Sequence, residues 1–294
     1  TQKWTLFPYT TLFRSDLMLA VLDPGTEIAG VFTSSSTRSF AVIDCEEKTH
    51  LTDSSSGAAI VVNSGNANAF TGSRGKVSVE AITSTAAEVL NIPRSRVFSS
   101  STGVIGEELP HNLIIDALGK MVAEKTKQDI LEAAKAIMTT DTYPKGSVRK
   151  VSTDQGEITI AGIAKGSGMI APNMATMLVY LFTDASVKKE VLQSYLSEIN
   201  EITFNSISVD GDTSTSDTVL MAATGKSGIN IEKKDKNFSQ GLASLMTDLA
   251  HQVVKDGEGA SKFIEINIVN ARNKTDAKIH AKSIANSPDR KSVV

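Results

Sequence analysis

The stretch Lys165 to Ala185, KGSGMIAPNMATMLVYLFTDA, decides how the chain is read. Its second half holds an unbroken apolar run, Met177 to Phe182, containing Val, Tyr and Phe. Such a run predicts a strand buried on both faces. Its first half is rich in Gly, Pro and Asn and predicts a tight loop. Thr176 therefore stands where a loop enters a core strand, directly after the small residue Ala175. Taken singly, Thr176 is a β-branched residue opening a strand. A self-cleaving protein would place a nucleophile at the same point. Breaking the Ala175–Thr176 bond would give Thr176 a free α-amine beside its own hydroxyl. With a reference pKa near ~8, that amine can serve as a base close to neutral pH. A threonine paired with its own N-terminal amine is one way to activate a weak nucleophile without histidine.

Further segments set the context: VVNSGNANAFTG at Val61 to Gly72, SSTGVIG at Ser100 to Gly106, and DGEGASKF at Asp256 to Phe263. With GSGMIAPNMATML and the FTDA that follows, they resemble, in the same order, the ornithine acetyltransferases (glutamate N-acetyltransferases). The resemblance runs from about Asp16 to Pro288. It implies self-cleavage at Ala175–Thr176, giving an α chain of residues 16–175 and a nucleophile-bearing β chain of residues 176–288. It also implies acetyl transfer from N2-acetylornithine to glutamate through an acetyl-threonine, in arginine biosynthesis. Residues 1–15 and 289–294 do not match and read as non-native ends. Members of the family are longer at the C-terminal side, where an Asn and a hydroxyl residue help hold substrate. Neither has a counterpart here, since the chain passes from ANSP, Ala285 to Pro288, into its odd end.

At 294 residues the chain allows one large domain or two ordinary ones, and 40% hydrophobic content is enough for a core. A net charge of −3, with both signs mixed, points to neither a nucleic-acid surface nor an anionic membrane. One cysteine, Cys45, excludes an internal disulfide, fits a reducing compartment, and reads as a small buried or half-buried residue. No apolar stretch approaches ~18 residues, so no transmembrane helix is expected. Residues 1–15 lack a signal-peptide h-region, and a cytoplasmic location is expected.

Strands are predicted at Leu17 to Leu22 and Ile28 to Thr33, around a turn at Asp23-Pro24-Gly25. Others are predicted at Ala58 to Val62, Val97 to Ser101, Thr218 to Ala223 and Phe263 to Val269. Ser147 to Ser152 and Glu157 to Ala164 read as a hairpin. Helices are predicted at Val77 to Leu90, His111 to Ala123, Gln128 to Met138, Val187 to Ile202, Phe238 to Val254 and Asp276 to Ile284. Strands and helices are grouped rather than strictly alternating, which argues for layered α+β over a doubly wound parallel sheet. The resemblance sharpens this to a sheet-on-sheet core flanked by helices, similar to N-terminal-nucleophile hydrolases.

Each acyl-transfer step builds negative charge on a carbonyl oxygen, so donors must be aimed at it. Thr102-Gly103 offers a hydroxyl and a close-approaching backbone, read from sequence as a turn after a strand. By resemblance it is the oxyanion hole. Lys165, taken alone, would be a solvated surface group. By resemblance it binds substrate, as does Thr139, with Thr140 the alternative equivalent. Glu258, between glycines, would recognise an amino group by the same resemblance; otherwise it lies in a helix C-terminal turn. Asn63, Asn66 and Asn68 read as support. His50, His111, His251 and His280 form no recognisable triad, and His251 reads as packing on a helix.

Other motifs fail. Asp210 and Asp212 begin a D-x-D pattern, but Thr215 and Met221 stand where a calcium loop needs Gly and Glu. Gly225-Lys226-Ser227 resembles the end of a P-loop, with Leu220 in place of its first Gly. No metal and no bound cofactor are expected, and acetyl-CoA stays open as an acetyl donor. The partners expected are small-molecule substrates and, in the intact protein, an α2β2 assembly of cleavage products. Two other readings stand beside the transferase: a related self-cleaving aminopeptidase or amidase, and an inactive truncated remnant.

Overall fold

The computed structural model describes residues 5–10, 15–51, 53–124, 130–170 and 177–287. Along the chain lie β1 (Thr5–Thr10), β2 (Ser15–Leu22), β3 (Glu27–Phe32), α1 (Phe40–Thr49), β4 (Ala58–Asn66), α2 (Ser73–Leu90) and β5 (Val97–Val104). Then come α3 (His111–Glu124), α4 (Ile130–Ala136), β6 (Lys145–Thr153), β7 (Gly156–Lys165), β8 (Leu178–Thr183), β9 (Ser186–Val187) and α5 (Lys189–Ile202). The last are β10 (Thr218–Ala223), β11 (Asn230–Ile231), α6 (Lys236–Lys255) and α7 (Lys274–Ala285).

Two sheets form the centre, one ordered β1-β2-β4-β5 and the other β3-β10-β8-β7-β6. Side-chain alternation explains why they stack, because odd and even positions of a strand face opposite ways. Met18, Ala20, Ile60, Val62 and Phe98 of the first sheet meet Leu178, Tyr180, Phe182, Leu220 and Ala222 of the second. The alternate positions serve a second layer. Val179, Leu181, Val219 and Met221 pack under α5 and α6. Leu17, Leu19, Ala59 and Val61 pack with residues of α2 and α3. β8 is buried at every position because it has a sheet on one face and helices on the other. The unbroken run Met177 to Phe182 required that environment. The expected layered α+β class is thus what the chain forms. The close seating of α6 depends on Gly162, where an added Cβ would stand 2.6 Å from a Leu181 methyl and 3.0 Å from one of Leu249.

Asp23-Pro24-Gly25 turns the chain between two strands as expected, and these strands, β2 and β3, join different sheets. A glycine-bearing turn reverses a chain whether or not the flanking strands share a ladder. Other expectations need correction. Thr102 and Gly103 belong to β5 itself, in register with Ser64 and Gly65 of β4. They sit inside the ladder because β4 runs on through its polar loop to Asn66. The run Phe263 to Val269 forms no strand. Phe263, Ile264 and Val269 are exposed, and no ladder among the described residues receives them. Alternation marks a strand only where an edge accepts its backbone groups. Besides the short pair β9 and β11, two longer elements were not foreseen. One is β1, antiparallel to β2. The other is α1, whose N-cap Ser39 accepts a hydrogen bond from the Val42 N–H. The start of the helix expected at Gln128 lies outside the described residues. Cys45 is fully buried, as expected. His251 is exposed on α6, its ring edge-on to Phe263 at 5.1 Å.

Candidate active site

Three chain segments end at one place: β5 at Thr102-Gly103, the turn after α4 at Thr139 to Asp141, and β7 at Lys165. Ladder register explains part of this. Lys165 pairs with Leu178 across β7 and β8, so it lies beside the entry into β8. Ala175 and Thr176 themselves fall outside the described residues.

Lys165 is 2% exposed. Its Nζ donates to Thr139 Oγ1 at 2.8 Å and Thr102 Oγ1 at 3.2 Å, with Asp141 Oδ2 at 3.9 Å. It is therefore not the solvated surface lysine that composition alone would suggest. Burial pushes its amine below the ordinary lysine value, against the pull of Asp141. Between the two threonine alternatives, the Thr139 hydroxyl faces Lys165 while that of Thr140 pairs with Ser167 at 2.7 Å.

Gly103 adopts φ +132. A Cβ there would lie 2.3 Å from the Gly65 carbonyl carbon, so β4 and β5 approach too closely for any side chain. The glycine is exposed, and Thr102 beside it is buried. Asn63 donates to the Asn66 carbonyl at 2.9 Å and accepts from Ser101 at 2.6 Å, which braces this crossing from the β4 side.

Glu258 joins the group through its backbone. Its N–H donates to the Ser167 carbonyl at 2.8 Å. Its carboxyl lies over Gly168, where a Cβ would stand 2.8 Å from it. Its charge also acts on Lys165. Thr102, Gly103, Thr139, Lys165 and Glu258 are thus gathered around one point.

Four residues of the cluster had not been singled out. Asp141 accepts from the Gly166 N–H at 2.7 Å, the Thr139 N–H at 3.1 Å and Lys145 Nζ at 2.6 Å. Lys145 is fully buried and also donates to Asp256 Oδ2 at 2.5 Å. Asp256 in turn accepts from the N–H of Thr142 at 3.0 Å and from its hydroxyl. Burial pushes the Asp141 carboxyl up, but the Lys165 and Lys145 charges and these hydrogen bonds hold it below the ordinary carboxylate value. The fourth is Asp217, fully buried just before β10, whose Oδ1 accepts the Met177 N–H at 2.9 Å. Burial drives its carboxyl well above the ordinary value, although the Met177 N–H and the nearby Ser214 hydroxyl pull the other way. Asp141 follows Thr139-Thr140 directly and Asp256 opens the DGEG run, so both lay within reach of a sequence reading. Lys145 carried no such signal.

Chemically, the cluster offers a buried amine, hydroxyl donors, a glycine backbone open to a reacting oxygen, and a carboxylate at its edge. These are the parts that acyl transfer onto a hydroxyl would use.

Residues 9–294 match the profile of the ArgJ family. The arginine biosynthesis bifunctional protein ArgJ of Ruegeria pomeroyi is 56% identical over 276 residues, covering 94% of this chain and 67% of that protein. Its namesake in Bartonella henselae is 46% identical over 280 residues, covering 94% and 68%. Among solved structures, the arginine biosynthesis bifunctional protein of Bacillus halodurans superimposes with a TM-score of 0.51 at 29% identity. That alignment covers 59% of this chain and 92% of the other. The PH0078 protein of Pyrococcus horikoshii OT3 aligns at 10% identity with a TM-score of 0.51, over 87% of this chain and 85% of its own, a likeness of fold alone.

Proposed function

Since the chain belongs to the ArgJ family, we propose that it is an acetyltransferase of arginine biosynthesis, carrying acetyl from N2-acetylornithine to glutamate on Thr176. The observation that carries this reading is the convergence of Thr102 and Thr139 on the buried Lys165 amine, beside the entry to β8.

Maturation comes first. The Thr176 hydroxyl oxygen bonds to the Ala175 carbonyl carbon and the peptide C–N bond breaks. The hydroxyl proton passes to the departing nitrogen, leaving an ester. Water opens that ester to an Ala175 carboxylate and a free Thr176 hydroxyl and amine. In turnover the hydroxyl attacks the acetyl carbonyl and its proton travels through the α-amine to the leaving ornithine nitrogen. The glutamate amine then attacks the acetyl-threonine ester, and the proton returns to the threonine oxygen.

Thr102 and Gly103 would bind the oxyanion of both half-reactions. The open backbone at Gly103 supports this, and losing one such donor typically costs roughly 10²–10³ in rate. Lys165 and Thr139 would hold the substrate's carboxylate end, and Glu258 an amino group. Pairing of the cleavage products as α2β2, and acetyl-CoA as a second donor, belong to the same proposal.

Intact mass under denaturing conditions tests maturation, with two fragments split between Ala175 and Thr176 expected. Incubation with N2-acetylornithine should then add one acetyl group to the threonine fragment. Glutamate should remove it in a ping-pong pattern, and the same assay run with acetyl-CoA decides whether it donates. A native chain that stays whole overturns the reading. An acyl-enzyme released to water and never to glutamate moves it to an amidase.

A further inference from the structure

Residues 207–217, ISVDGDTSTSD, depart from calcium-loop spacing, yet two of their aspartates, Asp210 and Asp217, point at one target. Asp210 accepts the N–H of Met169 and, at 2.9 Å, that of Ile170. The Asp212 N–H returns to the same carboxyl at 3.1 Å and closes a tight turn around it. The Ile170 carbonyl is taken as well, by the Val209 N–H at 2.7 Å and the Ser208 hydroxyl at 3.3 Å. At the other end of the loop, Asp217 accepts the Met177 N–H at 2.9 Å, and the Thr218 N–H donates to the Met177 carbonyl at 3.2 Å. Ile170 and Met177 are the residues on either side of 171–176, the stretch that contains the Ala175–Thr176 bond.

We propose that residues 207–217 form a two-point clamp on the self-cleaving segment, Asp210 fixing its upstream flank and Asp217 its downstream flank. This rests on the self-cleavage reading and adds the residues that position the bond to be broken.

The physical case has three parts. Attack of a hydroxyl on its own upstream carbonyl is a short-range, geometry-limited step, and pinning both ends of a short segment removes most unproductive conformations beforehand. Next, Met169 sits at φ +56, a left-handed conformation unfavourable to a residue with a side chain, and the Asp210 carboxyl holds it there. Finally, Asp217 Oδ2 is buried with no hydrogen-bond partner among the described residues. A buried carboxyl is costly unless hydrogen-bonded, so the Met177 N–H that Asp217 accepts is a contact both groups depend on. The Met177 nitrogen it holds is bonded to the carbonyl carbon of Thr176. Asp210 and Asp217 are thus positioning residues for cleavage.

The experiment follows cleavage during cell-free synthesis of the full chain, reading the two fragments by mass against time. Asp210→Ala and Asp217→Ala should each slow their appearance by about 10- to 100-fold. Asp217→Asn should stay within about threefold of the native rate, because an amide oxygen still accepts the Met177 N–H; a contact serving fold alone would not order cleavage rates in this way. Asp210 is exposed, so replacing it opens no core, and that variant decides the matter if Asp217→Ala does not melt cooperatively. A folded Asp210→Ala chain splitting at the native rate overturns the clamp and leaves the self-cleavage reading standing. Asp217→Asn as slow as Asp217→Ala also overturns it. A native chain that never splits overturns both.

Discussion

Asp141 and Asp217 are two buried carboxyl groups near the same lysine, and their surroundings treat them oppositely. Asp141 has two lysine amines and two backbone N–H groups on it, and its pKa lies below the ordinary range. Asp217 has one backbone N–H on Oδ1 and none on Oδ2 among the described residues, and its pKa lies well above that range. Both side chains are buried, so depth alone does not set the direction of the shift. Partners do, because burial penalises an ion only as far as nothing replaces its hydration. One region is therefore an ionic brace holding Lys165 and Thr139 in place. The other is a hydrogen-bonding post beside the entry to β8, whose carboxyl burial pushes toward the protonated form.

Removing the cations should break the contrast, and the largest effect is expected at Lys145→Met. It keeps the volume but strips Asp141 and Asp256 of the amine they share. Removing one partner of a buried pair typically costs about 3–5 kcal/mol. Urea unfolding should show a loss of that size, and an unchanged midpoint would mean the brace is dispensable. The next effect lies in pH. Asp217 has a raised folded pKa, so the folded chain holds more protons than the unfolded chain above pH ~4, and stability falls as pH rises toward the folded value. Asp141 has a lowered one, so its contribution is present above that pH and is lost as pH falls through its folded pKa. Comparing Asp217→Asn with the native chain isolates the first of these. The difference should grow in the variant's favour from pH ~4 upward by at most ~1.4 kcal/mol per pH unit. Thermal melts across pH measure it, and parallel curves would show that Asp217 is charged in both states.

Much of this architecture was readable from the residues. The run Met177 to Phe182 demanded a strand covered on both faces, and β8 has that environment. Thr102, Gly103, Thr139, Lys165 and Glu258 were assembled by resemblance, and the fold brings them together. The misreadings share one cause, because local pattern is silent about the partner. Phe263 to Val269 alternates like a strand but joins no ladder among the described residues. Thr102-Gly103 reads like a turn but lies within the β4–β5 ladder. Lys145 and Asp217 escaped notice for the same reason. Lys145 meets Asp256 from 111 positions away, and Asp217 meets Met177 from 40, so neither contact leaves a local signature.

If partners matter only where water is excluded, an ion pair of similar geometry in solvent should count for little. Lys150 and Glu157 provide that control on the β6–β7 hairpin. Their charged atoms are 2.9 Å apart, close to the spacing in the brace, but the side chains are 70% and 53% exposed. Water already solvates both ions, and ordering two long side chains offsets the Coulomb gain, so such pairs usually contribute under ~1 kcal/mol. Lys150→Ala should shift the urea midpoint by ~0.5 kcal/mol or less, and added salt should erase even that. An effect approaching that of Lys145→Met would show that distance between charges, and not desolvation, governs both sites. The contrast between Asp141 and Asp217 would then need another cause.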